Sequence, residues 1–219
     1  MCYSDSAAPP GAPGASGKAH GEELTLTASD GNQFYAQLAL PEGHTHSAVV
    51  IYPDVRGLHQ FYRDLTLRFA EAGIAAISLD YFGRTAGLTS RAEGFEYMPH
   101  VDKLTIPTFT LDVQAALAAL RAKVGDDAKV FIMGFCMGGS LTLVTGANKD
   151  LKASGLMPFY SGLTRNFAGE GTAMDFASRI AYPVLGSYGG TDQGIPESAI
   201  QELRGRLDQA GVEHNLKIY

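Results

Sequence analysis

The stretch GFCMGGS, Gly134–Ser140, decides how this chain is read. It follows KVFIMG (Lys129–Gly134), a short apolar run of strand character, and it leads into Gly138–Asn148, which reads as a helix. Strand, then Gly-x-Cys-x-Gly-Gly, then helix is the order of a sharp turn that presents one side chain at the edge of a sheet. Gly134 and Gly138 let strand and helix come close, and Gly139 adds room. The helix N-terminus points backbone N–H groups at the sulfur, which lowers a thiol pKa and offers donors to an oxyanion. Cys136 is therefore a candidate nucleophile. The alternative is a small buried hydrophobe between glycines. Phosphate and dinucleotide loops do not account for the glycines, because no G-K-[ST] and no G-x-G-x-x-G occurs.

Outward from that turn, the pattern alternates. EELTLTA (Glu22–Ala28) and FYAQLAL (Phe34–Leu40), joined by the turn SDGN, predict an antiparallel pair. SAVVIYP (Ser47–Pro53) and IAAISLD (Ile74–Asp80) are continuously apolar, as buried central strands are, with a helix expected over Phe61–Ala72 between them. Phe82–Thr105 has no clear period and is expected as a long surface loop, a kind of segment that is often functional. From Pro107 onward, Phe109, Val113, Ala116, Leu117 and Leu120 share one helical face. ASGLMPFY (Ala153–Tyr160) and YPVLGSYG (Tyr182–Gly189) predict two more strands. IPESAIQELRGRLDQAG predicts a helix between Pro196 and Gly211, and HNLKIY a last strand. The expected fold class is α/β, a mostly parallel sheet with helices on both faces, in one domain over residues 21–219.

Composition bounds the rest. The chain has 219 residues, 45% hydrophobic and 18% charged, as a single globular core requires. A net charge of −6 without a basic block argues against nucleic acid and against a membrane surface as partners. Residues 1–20, rich in Ala, Pro, Gly and Ser, are expected as a disordered tail without the apolar core of a signal peptide. The two cysteines, Cys2 and Cys136, and that tail fit a cytoplasmic setting.

With these residues in view, the sequence resembles the dienelactone hydrolase family, carboxymethylenebutenolidase-like, on the α/β-hydrolase fold. GFCMGG is similar to its nucleophile turn. YPDVRGLHQFYRDLTLRFAEAGIAAISLDYFGR is similar to its first core strand, oxyanion loop, helix and next strand, and GSYGGTDQGIP to its acid loop. The resemblance implies a Cys-His-Asp triad, with Cys136 as nucleophile and Asp192 as the acid. It implies Val55 and Met137 N–H groups as the oxyanion hole, and Arg84 as the partner of a substrate carboxylate. Asp54 stands where the family usually carries a glutamate that contacts the resting thiol, one methylene longer. Tyr160 would line the site. The implied substrate is a small ester or lactone bearing a carboxylate, cleaved without cofactor or metal. A general carboxylesterase or thioesterase, or a binding protein on the same fold, is the alternative.

Each residue also has a plainer reading. Asp192 could be a turn aspartate, Asp54 a loop acid capping a backbone N–H, Arg84 a solvated arginine and Tyr160 a core tyrosine. The base is not evident. His20 borders the tail, His59 follows the oxyanion loop and His100 falls in the long loop. His44 and His46 form an H-x-H without a third metal ligand. His214 is the one that follows Asp192, but it precedes the last strand. In the family the histidine follows that strand, so it is expected beyond Tyr219, with the C-terminal end of the fold truncated.

Overall fold

The computed structural model describes residues 6–11, 14, 17–92 and 94–219. Two hydrophobic strands open it, β1 (Ala19–Thr27) and β2 (Gln33–Pro41), paired antiparallel from Ala19↔Pro41 to Thr27↔Gln33. Then follow β3 (Ser47–Tyr52), α1 (Gln60–Glu71), β4 (Ala75–Leu79), the short α2 (Gly83–Ala86) and α3 (Met98–Val101), and α4 (Ile106–Val124). The second half carries β5 (Lys129–Phe135), α5 (Met137–Thr145), β6 (Gly155–Phe159), the short α6 (Ala173–Phe176), β7 (Val184–Tyr188), α7 (Glu197–Gln209) and β8 (His214–Ile218).

The eight strands form one sheet in the order β1-β2-β4-β3-β5-β6-β7-β8. The β1–β2 and β2–β4 pairs are antiparallel and every later pair is parallel. The reason is legible in burial. β3 and β4 bury nearly every residue because helices lie on both faces, whereas β1 at the edge alternates between half-buried and exposed. On one face α4, α5 and α7 pack through Phe109, Val113, Leu120, Leu141, Leu203 and Leu207 into the main core. On the other, α1 inserts Phe61 and Tyr62 against Val49, Ile51, Met133 and Phe135. Beside α1 on that second face, a groove lined by Phe131, Met157, Leu185 and Asn215 lies open, with Leu185 43% exposed. Among the described residues no helix is long and apolar enough to cross a membrane.

Two local expectations need correction. The stretch expected as a tail runs into β1, which starts at Ala19, because Lys18 already accepts the Glu42 N–H and extends the ladder. Farther back, Ala7 packs against the α1-side core and Pro9 is buried; residues 1–5, 12, 13, 15 and 16, Cys2 among them, lie outside the described residues. The loop expected over Phe82–Thr105 contains two single-turn helices, α2 and α3, too short to leave a periodic signal.

The turn between β5 and α5 depends on absent side chains. A Cβ on Gly138 would lie 2.2 Å from the Pro53 carbonyl oxygen and 2.3 Å from that of Tyr52. One on Gly134 would meet the Gly138 oxygen at 2.1 Å. These are backbone atoms and cannot rotate away. Gly138→Ala, ordinarily a favourable change inside a helix, should therefore destabilise the fold by about 3 kcal/mol or more through overpacking. Urea denaturation checks this, and an unchanged midpoint would show that α5 can move off β3.

Candidate functional site

The C-terminal ends of the parallel strands collect the candidate residues on one edge of the sheet, as open α/β sheets do. Cys136 follows β5 and forms the N-cap of α5 with φ 55° and ψ −115°, a conformation that L residues rarely adopt. Its backbone is held on both sides. The Cys136 N–H donates to the Phe159 carbonyl at 3.1 Å, and its carbonyl accepts from Ser140 N–H at 3.1 Å. Every residue of α5 is buried, so the helix cannot tilt away, while Cys136 itself is only half-buried. A strained backbone fixed in this manner holds its side chain in one direction.

The neighbouring strand β3 supplies the loop Pro53–His59. The Gly57 N–H closes a turn onto the Asp54 carbonyl at 3.0 Å, and Arg56 N–H donates to Asp54 Oδ1 at 2.9 Å. The Val55 N–H and the Met137 N–H donate no hydrogen bond among the described residues. Asp54 is fully buried. Its carboxylate takes a two-point ion pair from Arg56, Nε at 3.1 Å and Nη2 at 2.6 Å, and faces His59 Nε2 at 3.7 Å. Burial opposes ionisation of Asp54, but the His59 imidazole facing it and the two-point hydrogen bonding and charge of Arg56 outweigh it and hold the pKa at about 2. A carboxylate that acidic is a poor acceptor for a thiol proton, whose ordinary pKa is about 8.5. His59 is itself fixed, since its Nδ1 accepts the Phe61 N–H at 3.3 Å as the N-cap of α1. His59 Nε2 and the neighbouring Tyr62 hydroxyl are buried and have no hydrogen-bond partner among the described residues.

On the far side of β3, β4 is followed by Asp80, Tyr81 and Phe82. Tyr81 donates its hydroxyl to the Asp54 carbonyl and also faces that of Pro53 at 3.2 Å. Asp80 pairs with the buried Arg91 at 2.8 Å. Arg91 in turn binds the carbonyls of Gly87 and Thr89 and covers the Phe95 ring at 4.6 Å. Arg84 begins α2 and is heavily engaged. Nε and Nη2 reach the two oxygens of buried Asp112 at 2.9 Å each, and Nη1 reaches Asp30 at 2.6 Å. It thus belongs to a cluster with two carboxylates, the inner one 1% exposed and the outer one 36%.

Asp192 follows β7 on the same edge as Cys136, two strands away, or about 10 Å by the usual strand spacing. It is half-buried, and its Oδ1 accepts the Gly194 N–H at 2.9 Å. Tyr160 ends β6 between them, half-buried, with φ 35°, its ring 6.2 Å from that of Phe135. The histidines fall elsewhere. His44 and His46 precede β3 and His214 begins β8, all at the opposite edge of the sheet. His20 lies on the edge strand β1, and His100 stacks on Phe95 and bonds Thr85. His59 is the one beside the loop, and it faces Asp54. The described residues hold no cluster suited to a metal ion. Sequence reasoning did not single out Arg56, Tyr81, Asp80 or Arg91 as site residues. A short acid-x-arginine spacing was the one available signal, and it is too common to act on.

Comparison with known proteins shows the family. Residues 34–219 match the family described as the dienelactone hydrolase family, and the chain belongs to it. It is similar to a candidate carboxymethylenebutenolidase of Yersinia pestis, 29% identical over 210 residues, which spans 91% of this chain and 76% of that one. A second, from Methylorubrum extorquens, is 27% identical over 84% of this chain and 65% of its own length. In structure, the chain superposes on a candidate dienelactone hydrolase of Klebsiella pneumoniae with a TM-score of 0.81 at 23% identity, over 92% of this chain and 85% of that one, which establishes the shared fold.

Asp54 gives a pH prediction. Its folded pKa of about 2 lies below the unfolded value near 3.9, so the ionised group stabilises the fold above about pH 4. That contribution, about 2 kcal/mol, is lost as the pH falls from 4 toward 2. Asp54→Asn should show an acid limb shallower by about this amount when urea stability is compared at pH 5 and pH 2.5. Identical limbs would show that Asp54 is not held ionised.

Proposed function

We propose that this protein is a cysteine-dependent hydrolase of small esters or lactones. The single observation that carries the reading is the strained Cys136 backbone at the start of a wholly buried helix; the Met137 N–H that follows it and the Val55 N–H of the loop after β3 donate no hydrogen bond among the described residues. The Cys136 thiolate adds to the acyl carbon. The carbonyl electron pair moves to oxygen, where the two N–H groups stabilise it. Collapse of this intermediate breaks the C–O bond, and the alkoxide leaves with the proton given up by the thiol. Water then adds to the thioester, which releases a carboxylic acid and restores the thiol. Asp192, on the same edge of the sheet, is the candidate acid that would orient an imidazole to activate that water. Among the described residues none of the histidines stands between Asp192 and Cys136.

Arg84 is the candidate handle for a substrate carboxylate. Asp112 anchors its guanidinium from inside, and the exposed Asp30 occupies the outer position that a substrate carboxylate would take. A second reading, in which the substrates are neutral and Arg84 only ties α2 to α4, is favoured by the same observation, because two carboxylates already neutralise it.

Nitrophenyl acetate should therefore release one equivalent of nitrophenolate in a burst and leave an acetyl group on Cys136, located by peptide mass mapping. Cys136→Ala should abolish both. Absence of a burst would leave a non-catalytic binding protein on this fold, and a burst that survives Cys136→Ala would assign the nucleophile to another residue. Arg84→Met should slow acylation by an acidic ester about tenfold more than by a neutral one, in line with the loss of a charged hydrogen bond. Equal effects would favour the second reading.

A further inference from the structure

The oxyanion loop contains a peptide unit whose direction is set from outside the loop. The Asp54 carbonyl and the Val55 N–H belong to one planar, trans peptide group, so fixing the oxygen on one side fixes the N–H on the other. Two donors hold that oxygen. The Gly57 N–H, at 3.0 Å, comes from within the turn; the Tyr81 hydroxyl comes from the end of the adjacent strand β4. The turn alone would leave the peptide free to rock, since Val55 is half-buried and its N–H has no partner among the described residues. Tyr81 cannot rock with it. The residue is 3% exposed, and its ring packs edge-on against Phe82 at 4.7 Å and Phe109 at 6.0 Å.

The ground beneath Tyr81 is equally stiff. Asp80, the preceding residue, pairs with Arg91, and both side chains are 1% exposed. The same carboxylate accepts the Phe82 N–H at 3.2 Å. Gly57, with φ +78°, sits so close that a Cβ there would meet Asp80 Oδ1 at 3.1 Å and Phe82 Cδ2 at 3.0 Å. Residues 80–82 thus grip both ends of the turn, the Asp54 carbonyl and Gly57.

We infer that Tyr81 is a positioning residue for acyl transfer: its hydroxyl, bound to the Asp54 carbonyl, aims the Val55 N–H at the oxyanion formed on the Cys136 adduct. This rests on the reading of Cys136 as nucleophile and Val55 as oxyanion donor. In this role Tyr81 acts through the Asp54–Val55 peptide. Its hydrogen bond also withdraws electron density from the peptide carbonyl and strengthens the N–H as a donor.

The test compares two reactions of the same thiol in the full chain. Acylation by nitrophenyl acetate passes through an oxyanion; alkylation by iodoacetamide displaces iodide and forms none. Tyr81→Phe removes one oxygen and leaves the ring packing. It should slow the acylation burst by roughly 10- to 100-fold, the range expected for a misplaced donor, and leave the alkylation rate within about twofold, since thiol pKa and access are unchanged. An unchanged acylation rate, or equal losses in both reactions, would overturn the inference while the nucleophile stands. A wild-type chain that is alkylated but never acylated at Cys136 would overturn the nucleophile reading and this inference with it. As a second variant, Tyr81→Leu should reproduce the selective loss of acylation; a loss confined to Tyr81→Leu would assign Tyr81 a packing role and overturn the inference.

Discussion

Two missing side chains govern the active edge of this molecule. Gly134 and Gly138 allow α5 to start in contact with the carbonyl groups that end β3, at separations where no Cβ fits. Gly139 does the same on the other side, where a Cβ would lie 2.8 Å from the Phe159 oxygen of β6. The helix is thereby wedged between two strand ends, and the residue before it has no regular conformation left. Cys136 accepts the positive φ that this wedge imposes, and its backbone hydrogen bonds to Phe159 and Ser140 keep it there. The segments that follow β3, β6 and β7, with Val55, Tyr160 and Asp192, lie on the same edge of the sheet as that wedge.

The second determinant is electrostatic. Three carboxylates are buried at the same edge, Asp54, Asp80 and Asp112, and each is paired with an arginine: Arg56, Arg91 and Arg84. Pairs of this kind contribute little net stability, because the desolvation of both charges offsets most of their attraction. Their consequence is directional. A two-point arginine pair has one good geometry, so each fixes a segment that would otherwise be a free loop: the turn after β3, the loop after β4, and α2 against α4. The pairing also sets chemistry. Asp54 is committed to Arg56 and held strongly acidic, which separates it from a carboxylate free to exchange protons with the thiol.

The strands, the long helices and the glycine-rich turn at Cys136 were all legible in the sequence. Apolar runs such as AAISL and SAVVIY can be buried only between two layers of helices, and the glycines around Cys136 have no other economical reading. The antiparallel start followed by parallel strands follows from the short turn after β1 and the helical crossovers after β3. The single-turn helices and the early start of β1 were not legible. The former have too few residues for a period, and the latter depends on pairing between Lys18 and Glu42 across the hairpin. Nor was Arg84 fully readable: its place after β4 could be foreseen, but its two aspartate partners come from a turn 54 residues earlier and a helix 28 residues later.

The sequence by itself determined the layered sheet, the residue at the turn and the edge on which the functional groups gather, because periodicity, glycine spacing and strand direction are local properties. Only the tertiary structure decided which groups meet there. It joined Asp54 to Arg56 and His59, aimed Tyr81 at a carbonyl 27 residues away, and sent His214 to the opposite edge from Cys136. The physical reason is that hydrogen bonds and ion pairs form between groups brought within about 3 Å by packing, and no local pattern in the chain encodes that distance.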